Sequence, residues 1–250
     1  MGIKIGVTER GDAGLNLSWK DMLSNYDGVI LITKRISDAF VHTVINAIKD
    51  YPNIIVHATC TGWGESIVEP NVISYIEQLE GIQSLLWMGF PKDHLVLRVD
   101  PIVATLNGRD RARNVLDRAL GMGIIDSSSR IRVSVMDEYP HVKKRMFDAF
   151  GRFVYDGFQP SPHEMNKVML LLRSYDNLTF EACAEKKLQG QNIVHCGCVS
   201  QKDLDIFNLT SDTSLINGQQ RNGCQCLQCK TEMFNHKGQC EHGCLYCYWR

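Results

Sequence analysis

The segment VILITKRISDAFVHTVINAIKD, residues 29–50, decides the fold. It opens with an apolar, β-branched run from Val29 to Thr33, which is typical of a buried strand. After a short polar break, Ser37 stands where a helix N-cap is expected, and the apolar residues that follow it recur at helical spacing. The segment therefore predicts one β-strand followed by one α-helix.

The same unit recurs along the chain. Further apolar runs that predict strands are Ile3 to Val7, Ile54 to His57, Leu95 to Val99, Ile131 to Val135 and, more weakly, Leu178 to Cys183. Two more helices are predicted, one from Asn107 and one from Ser161, where Pro162 and Glu164 form a capping-box pattern. Six or seven strand–helix units predict an α/β barrel, open or closed, more than a doubly wound sheet.

Composition limits the class of protein. The chain has 250 residues, 44% of them hydrophobic, which is enough for a full core, and its net charge of −1 gives no global basic field for nucleic acid. Neither a secretory signal nor an apolar stretch of about 20 residues is found, so no membrane span is expected. Ten cysteines without a signal sequence predict the reducing cytoplasm and metal or catalytic thiols.

The cysteines concentrate near the C-terminal end, and their spacing is compatible with two kinds of metal site. Pairing Cys226 and Cys229 with Cys244 and Cys247 gives two C-x2-C knuckles at a spacing close to that of a zinc ribbon. The alternative is a three-ligand C-x3-C-x2-C set that begins at Cys240 and ends at Cys247. Such a set leaves one corner of a four-iron cluster without a protein ligand, and reactions can take place at that corner.

The string CEHGCLYCY, residues 240–248, resembles the cluster motif of radical S-adenosylmethionine (SAM) enzymes, and specifically that of the spore photoproduct lyase relatives. A group often labelled DNA repair photolyase is similar, is circularly permuted and carries this motif last. Other segments that resemble this group are Thr59 to Gly64, Glu69 to Asn71, Arg98 to Ile102, Ser134 to Asp137, Cys183 to Glu185, Cys224 to Cys226 and Lys230 to Glu232.

This resemblance implies a partial (β/α)6-type radical SAM barrel, circularly permuted with the cluster motif at the C-terminus. Lys230 to His236 would be its first strand, and Leu17 to Ser24 would supply the next helix, before the strand at Val29. Residues 1–204 would form the βα-repeat barrel, and residues 205–250 would add a polar loop, the cysteine-rich tail and the permuted strand to the same domain. The motif would then lie beside Thr61 and Arg98 in the barrel mouth.

The resemblance also implies the cofactors. Cys240, Cys244 and Cys247 would hold a [4Fe–4S] cluster whose fourth iron binds SAM, and cleavage of SAM would give a 5′-deoxyadenosyl radical for hydrogen abstraction, possibly from a nucleobase or DNA, in a lyase or rearrangement reaction. A flavodoxin or ferredoxin would supply the electron. A peptide or small metabolite is the alternative substrate, and a zinc-ribbon binding module on a barrel is the alternative function.

Further site residues follow from the resemblance. The residues expected to bind SAM at strand ends are Lys34, Thr61, Arg98, Ser134 and Glu185, with ordinary barrel salt bridges as the alternative. Tyr246 and Tyr248 are expected to assist hydrogen-atom return, with Cys60 as the donor. A small hydrophobic residue in the core is the alternative for Cys60.

The remaining cysteines and the basic residues leave alternatives open. The relatives imply a second [4Fe–4S] cluster, and zinc or no metal is the alternative; its ligands would be Cys183, Cys198, Cys224 and Cys226. Basic residues that could contact the phosphates of a nucleic-acid substrate are Arg109, Arg111, Arg113, Arg118, Lys143, Lys144 and Arg145. The alternative is that they form a solvated outer face of the barrel.

Overall fold

Strands and helices alternate along the chain in a computed structural model that describes residues 2–210, 224–235 and 240–249. The strands are β1 (Ile5–Val7), β2 (Gly28–Thr33), β3 (Ile54–Thr59), β4 (Leu95–Ile102), β5 (Arg130–Val135), β6 (Phe180–Cys183), β7 (Ile193–Cys196) and β8 (Lys230–Glu232). The α-helices are α1 (Asp38–Asp50), α2 (Tyr75–Trp87), α3 (Leu106–Gly121), α4 (Pro140–Phe150), α5 (Pro162–Arg173) and α6 (Gln201–Ile206). Leu17–Asn25 and Lys92–His94 form 3-10 helices.

Within the described residues, all strand pairs are parallel and belong to one eight-stranded sheet in the order β7-β6-β5-β4-β3-β2-β1-β8. The sheet is open and curled into a half-barrel, so the predicted α/β fold with a partial barrel is confirmed at that level. The number of strands differs from the six of the expected barrel. The short strand β7 was not predicted, and β1 and β8 both join the sheet.

The pairing of β8 brings the C-terminal region to the first strand of the chain. Lys230 stands opposite Ile5 in a parallel register, and the Ile5 amide donates to the Cys229 carbonyl at 2.8 Å. The strand predicted for residues 230–236 thus has its β-structure in its first part, and His236 lies outside the described residues. Because β1 lies between β8 and β2, β8 does not neighbour the strand at Val29 in the way the sequence suggested.

Successive side chains of the strands face opposite sides of the sheet, and each side is covered. Leu31 and Val56 belong to the large apolar core that includes the helices. Ile30 and Ile55 belong to a smaller cluster on the other side, which the turn of chain around α6 covers with Val199, Leu204 and Phe207. Burying each such side chain stabilises the fold by about 1.5–3 kcal/mol.

Four buried charged residues tie α6 to the neighbouring strands. Arg130 contacts Glu181 at 3.0 Å and Asp203 at 2.8 Å, and Arg132 contacts the second Glu181 oxygen at 2.6 Å. Arg132 also donates to the Cys198 carbonyl at 3.2 Å. Planar guanidinium groups suit such multiple contacts, so the network fixes the segment that carries Cys198 against the sheet.

The helix starts follow the sequence signals. The hydroxyl of Ser37 accepts from the Phe40 amide at 3.3 Å, and that of Ser161 accepts from the Glu164 amide at 3.2 Å, so both predicted N-caps are present. Helix α3 begins just before the predicted Asn107. Among the residues that the structure describes, no helix is long and apolar enough to span a bilayer.

Candidate active site

The carboxyl ends of the parallel strands open into one cavity, as is usual for βα barrels. Residues after β1, β2, β4, β5 and β6 line it together with the C-terminal motif segment, which we define as residues 240–249. The polar and cysteine lining includes Glu9, Asp12, Thr33, Lys34, Arg98, Asp100, Ser134, Asp137, Cys183, Cys198, Cys224, Cys226, Cys240, His242, Cys244 and Cys247. Both groups of cysteines therefore reach the same space.

Asp12 holds the motif segment from one side. Its carboxylate accepts from the Thr33 hydroxyl at 2.6 Å and the Lys34 amide at 2.7 Å, and it contacts His242 Nε2 at 2.8 Å. Burial alone would raise the pKa of Asp12, but the hydrogen bond and charge of His242 and the other donors outweigh burial and lower it. His242 is thereby oriented between Cys240 and Cys244.

Glu69 holds the motif segment from a second side. This fully buried carboxylate accepts from Lys34 Nζ at 2.8 Å, from the Thr61 hydroxyl at 2.7 Å and from the Tyr246 hydroxyl. Burial would lower the pKa of Lys34, yet the charge of Glu69 and the nearby Cys244 raise it, so Lys34 remains a buried cation. A single carboxylate thus joins the ends of β2 and β3 to the motif segment.

Backbone contacts complete the docking of the motif segment. The Asn71 side chain donates to the Glu241 carbonyl at 2.7 Å, and the Leu245 amide donates to the Val68 carbonyl at 2.9 Å. From α4, Arg145 donates to the Leu245 carbonyl at 2.9 Å and also to the Cys247 carbonyl. Distant parts of the chain therefore fix the loop that carries the cysteines.

The motif cysteines are thiols in a buried, cation-bearing environment. Burial raises the pKa of Cys240 to about 11 and also raises that of Cys244, while Lys34 opposes both shifts. Gly243 between them has φ 68°, the left-handed conformation that glycine adopts without strain. Three cavity-facing thiols beside a buried cation fit the donor set of an iron–sulfur cluster, whose thiolates carry negative charge.

Three of the five residues predicted to bind SAM line the cavity, namely Lys34, Arg98 and Ser134. Asp100 joins the last two, since it accepts from both the Arg98 guanidinium and the Ser134 hydroxyl. Arg98 Nε is a buried donor with no hydrogen-bond partner among the described residues, so it is available to a ligand.

The other two residues predicted to bind SAM have partners inside the protein. Thr61 donates to Glu69, and a Glu185 oxygen accepts from the Val135 amide at 3.0 Å. Neither belongs to the cavity lining of the described residues. In the structure both side chains support the residues around the cavity.

Cys60 lies in the apolar core. Its side chain is fully buried, and its thiol contacts the Tyr75 carbonyl at 3.8 Å. Burial raises the pKa of this thiol to about 12, with the charge of Glu69 adding to the shift. Cys60 is not part of the cavity lining in the described chain, whereas Tyr246 and Tyr248 are.

The remaining predicted metal ligands gather on another part of the cavity wall. Cys183 Sγ lies 3.6 Å from Cys198 Sγ, and the Cys198 amide donates to Cys226 Sγ at 3.1 Å. Cys224 packs against this group, and we call the four residues the four-thiol cluster. Hydrogen bonds from Cys183 and Cys226 hold the pKa of Cys198 well below its ordinary value. In the described ranges, no three or more His, Cys, Asp or Glu side chains are grouped closely enough to hold a metal ion.

A buried ion pair links the four-thiol cluster to the motif segment. Lys230 Nζ lies 4.0 Å from Cys226 Sγ and pairs with one oxygen of Glu9, while the other Glu9 oxygen accepts from the Tyr248 hydroxyl at 2.7 Å. Sequence reasoning assigned no role to Glu9, Lys230, Asp12 or Glu69, because each acts through contacts with residues far away in the chain.

Beside Lys230 on β8, Glu232 gives the fold a predictable pH dependence. Burial raises the pKa of Glu232 to about 7 from 4.5, although amides of Phe234 and Arg10 stabilise its carboxylate. Since the neutral form is favoured in the folded chain, the contribution of Glu232 to stability is complete below pH 4.5 and is lost as the pH rises through about 7.

We expect Glu232→Gln to remove this part of the pH dependence. The free energy of unfolding, followed by urea titration between pH 4 and 8, should fall less with rising pH in the variant than in the unchanged protein. The exposed Glu80→Gln variant is the matched control and should keep the original profile. Parallel profiles for Glu232→Gln and the unchanged protein would contradict the assignment.

Several of the basic residues considered for phosphate contact have partners within the protein. Arg109 is buried and paired with Glu164, and Arg111 lies over the Trp63 ring at 4.3 Å. Arg145 is used to hold the motif segment. These three side chains therefore have partners within the protein, while Arg111 and Arg145 remain partly exposed.

Comparison with known proteins gives a family and no activity. A family model described as a domain of unknown function (DUF1848) matches residues 20–249. The match covers the strands from β2 to β8 and the three motif cysteines. No curated protein matches the chain.

Proposed function

Because the chain belongs to the family described as domain of unknown function DUF1848, its activity has to be inferred from the site, and we propose that it is a radical SAM enzyme. One observation carries this proposal. The three motif thiols line the strand-end cavity together with a buried lysine, Lys34, and a buried arginine, Arg98, that has an unused donor. Thiols, cations and an enclosed space are what a SAM-binding cluster needs.

In this proposal Cys240, Cys244 and Cys247 would hold a [4Fe–4S] cluster, at which SAM would bind. When bound, the cluster supplies the electron that cleaves SAM and gives a radical able to abstract hydrogen. The protein's own part is to shield and orient the site. Lys34 offsets the negative charge of the thiolates, while Asp12, through His242, and Glu69, through Tyr246, fix the loop.

Arg98 and Ser134 line the same cavity and are proposed to contact SAM. The free Arg98 Nε suits the SAM carboxylate, and Asp100, held by Arg98 and Ser134, suits an ammonium or ribose hydroxyl. Thr61 and Glu185 are proposed to support the site without contacting SAM. The Thr61 side chain holds Glu69, and the Glu185 side chain holds the β5 backbone.

Hydrogen return is proposed for Tyr248, with Tyr246 and Cys60 as further candidates. Tyr248 lines the cavity and its hydroxyl contacts Glu9, which can accept a proton. Tyr246 also lines the cavity but donates to Glu69. A role for Cys60 requires its buried thiol to gain access to the cavity, and the Cys60→Ala variant tests it through the distribution of products.

A nucleobase is the proposed substrate class. Tyr139 and Tyr248 line the cavity with their ring centroids 5.9 Å apart, and Trp249 lies 5.0 Å beyond Tyr248. Planar aromatic side chains at a cavity suit the stacking of a base. A peptide or small metabolite is the alternative. The proposed location is the cytoplasm, where thiols stay reduced and such clusters persist.

The test is anaerobic reconstitution with iron, sulfide, SAM and dithionite. We expect a brown protein that forms 5′-deoxyadenosine, with deuterium transferred into it from a labelled nucleoside or DNA oligomer. Transfer from labelled peptides alone would change the substrate class. A colourless protein with one zinc per chain and no 5′-deoxyadenosine would overturn the proposed function.

A further inference from the structure

Arg10 is a cation of the cavity wall without a carboxylate partner. Of the lysine and arginine side chains that line the cavity in the described chain, Lys34 pairs with Glu69. Another, Arg98, pairs with Asp100. Arg10 also lines the cavity, but it pairs with no carboxylate among the described residues, and its Nε is a buried donor without a hydrogen-bond partner. A partly buried cation with an unused donor costs free energy that a ligand oxygen can offset.

The turn that carries Arg10 is fixed against the segment of β8. The Arg10 amide donates to a Glu232 oxygen at 3.2 Å. The next residue, Gly11, lies so close to Phe234 that a Cβ atom there would come within 2.7 Å of the ring. The guanidinium group of Arg10 lies over the Trp249 ring, with its Cζ 5.0 Å from the ring centroid. These contacts fix Arg10 at the cavity and leave its Nε to a ligand.

The anion that Arg10 requires is not the carboxylate of SAM. Arg10 follows β1, whereas Arg98, to which that carboxylate is assigned above, belongs to β4. The order β4-β3-β2-β1 separates the two by three strand spacings, which is about 14 Å along the sheet. One carboxylate does not span that distance. A second anionic group therefore belongs at Arg10, and the remaining molecule in the proposed reaction is the substrate.

An aromatic wall continues from Arg10 along the cavity. The Trp249 ring beneath the guanidinium lies 5.0 Å from the Tyr248 ring. The Tyr248 ring in turn lies 5.9 Å from that of Tyr139, and all these residues line the cavity. Aromatic side chains stack on planar rings, and a guanidinium fork donates two parallel hydrogen bonds to a phosphate or carboxylate. The wall thus suits a planar ring that carries an oxyanion.

We propose that Arg10 binds an oxyanion of the substrate, either a phosphate or a carboxylate, and thereby selects a negatively charged ring compound. Among nucleobase compounds it selects nucleotides, as monomers or within a single strand, over a free base or a neutral nucleoside. The proposal deepens the proposed function and rests on it for the identity of the cavity as the active site.

Binding of charged and neutral probes tests the proposal. The measurement is anaerobic titration calorimetry of the full chain, before and after reconstitution with iron and sulfide. The probes are 2′-deoxynucleosides, their 5′-monophosphates, a single-stranded DNA oligomer, and benzoate with benzyl alcohol as its neutral counterpart. We expect a charged probe to bind about 10- to 100-fold more tightly than its neutral counterpart. The charged probe that shows the gain identifies its source as a free nucleotide, a phosphodiester or a carboxylate.

Variants of Arg10 assign the preference to this side chain. Arg10→Met should remove the difference between charged and neutral probes. Arg10→Lys should keep part of the difference, because lysine retains the charge but loses the guanidinium fork. Arg118→Met is the matched control, since Arg118 is exposed in the last turn of α3, and it should bind every probe as the unchanged protein does.

The outcomes separate this inference from the proposed function. Equal affinities in the unchanged chain, no measurable binding of any charged probe, or a preference that survives in Arg10→Met would overturn the role of Arg10, whether or not the chain forms 5′-deoxyadenosine. The first two results need no variant that folds. An Arg10-dependent preference for charged probes in a chain that forms no 5′-deoxyadenosine would overturn only the proposed function.

Discussion

Replacing Cys244 with alanine is expected to remove about four irons per chain and to reduce 5′-deoxyadenosine formation to background. Cys244 is the central cysteine of the motif and a proposed cluster ligand, is 6% exposed and lies within the electrostatic reach of Lys34. A cluster that three thiolates would hold is left with two when Cys244 is removed, so it should no longer be retained.

Iron, sulfide and 5′-deoxyadenosine are the measurements for Cys244→Ala, with Cys196→Ala as the control. Cys196 is half-buried at the end of β7 and lies outside both cysteine groups that line the cavity. We expect the control to bind and cleave SAM as the unchanged protein does. Undiminished SAM cleavage by Cys244→Ala would contradict the assignment of the motif cysteines as cluster ligands.

Replacing Glu69 with glutamine is expected to lower the free energy of unfolding by about 3 kcal/mol, which is the size of effect seen when a buried ion pair loses one partner. Glu69 is fully buried and its Oε1 accepts from three side chains. Glutamine keeps the shape but leaves Lys34 as a buried cation without its carboxylate.

Urea unfolding of the metal-free chain measures the Glu69 effect, and hydrogen exchange of residues 240–249 reports whether the motif segment loosens. Asp148→Asn is the control, since Asp148 pairs with Lys144 on the surface and should contribute less than about 0.5 kcal/mol. Adding Lys34→Met to Glu69→Gln should recover part of the loss. A Glu69→Gln change as small as that of the control would contradict the central place given to this carboxylate.

The strands of the fold were readable from the sequence wherever both faces are buried. Ile54 to His57 and Ile131 to Val135 are continuous apolar or β-branched runs, and each became a fully buried strand. The sequence does not predict strand β7, because Val194 and His195 are exposed and the strand therefore has no continuous apolar run. Helix α2 was missed although Ser74 and Glu77 form a capping box that the sequence displays.

Only the residue types and the cysteine spacing of the candidate site could be predicted from the sequence. The motif spacing singled out Cys240, Cys244 and Cys247, and cavity-lining thiols are found there. The contacts that position the motif could not be predicted, because Asp12 and His242 are separated by 230 positions and Glu69 and Tyr246 by 177. No local pattern encodes pairs at that distance; the parallel order of the strands brings them together.

The pairing of β8 with β1 has a consequence for biosynthesis. Glu9 and Lys230 are separated by 221 positions, and every other strand precedes β8 in the chain. Contacts over such separations carry a large loop-closure entropy and form late in folding. The ribosome therefore delivers the cysteine motif to a sheet whose other strands can already have folded, and the strand-end cavity is complete only after this last docking step.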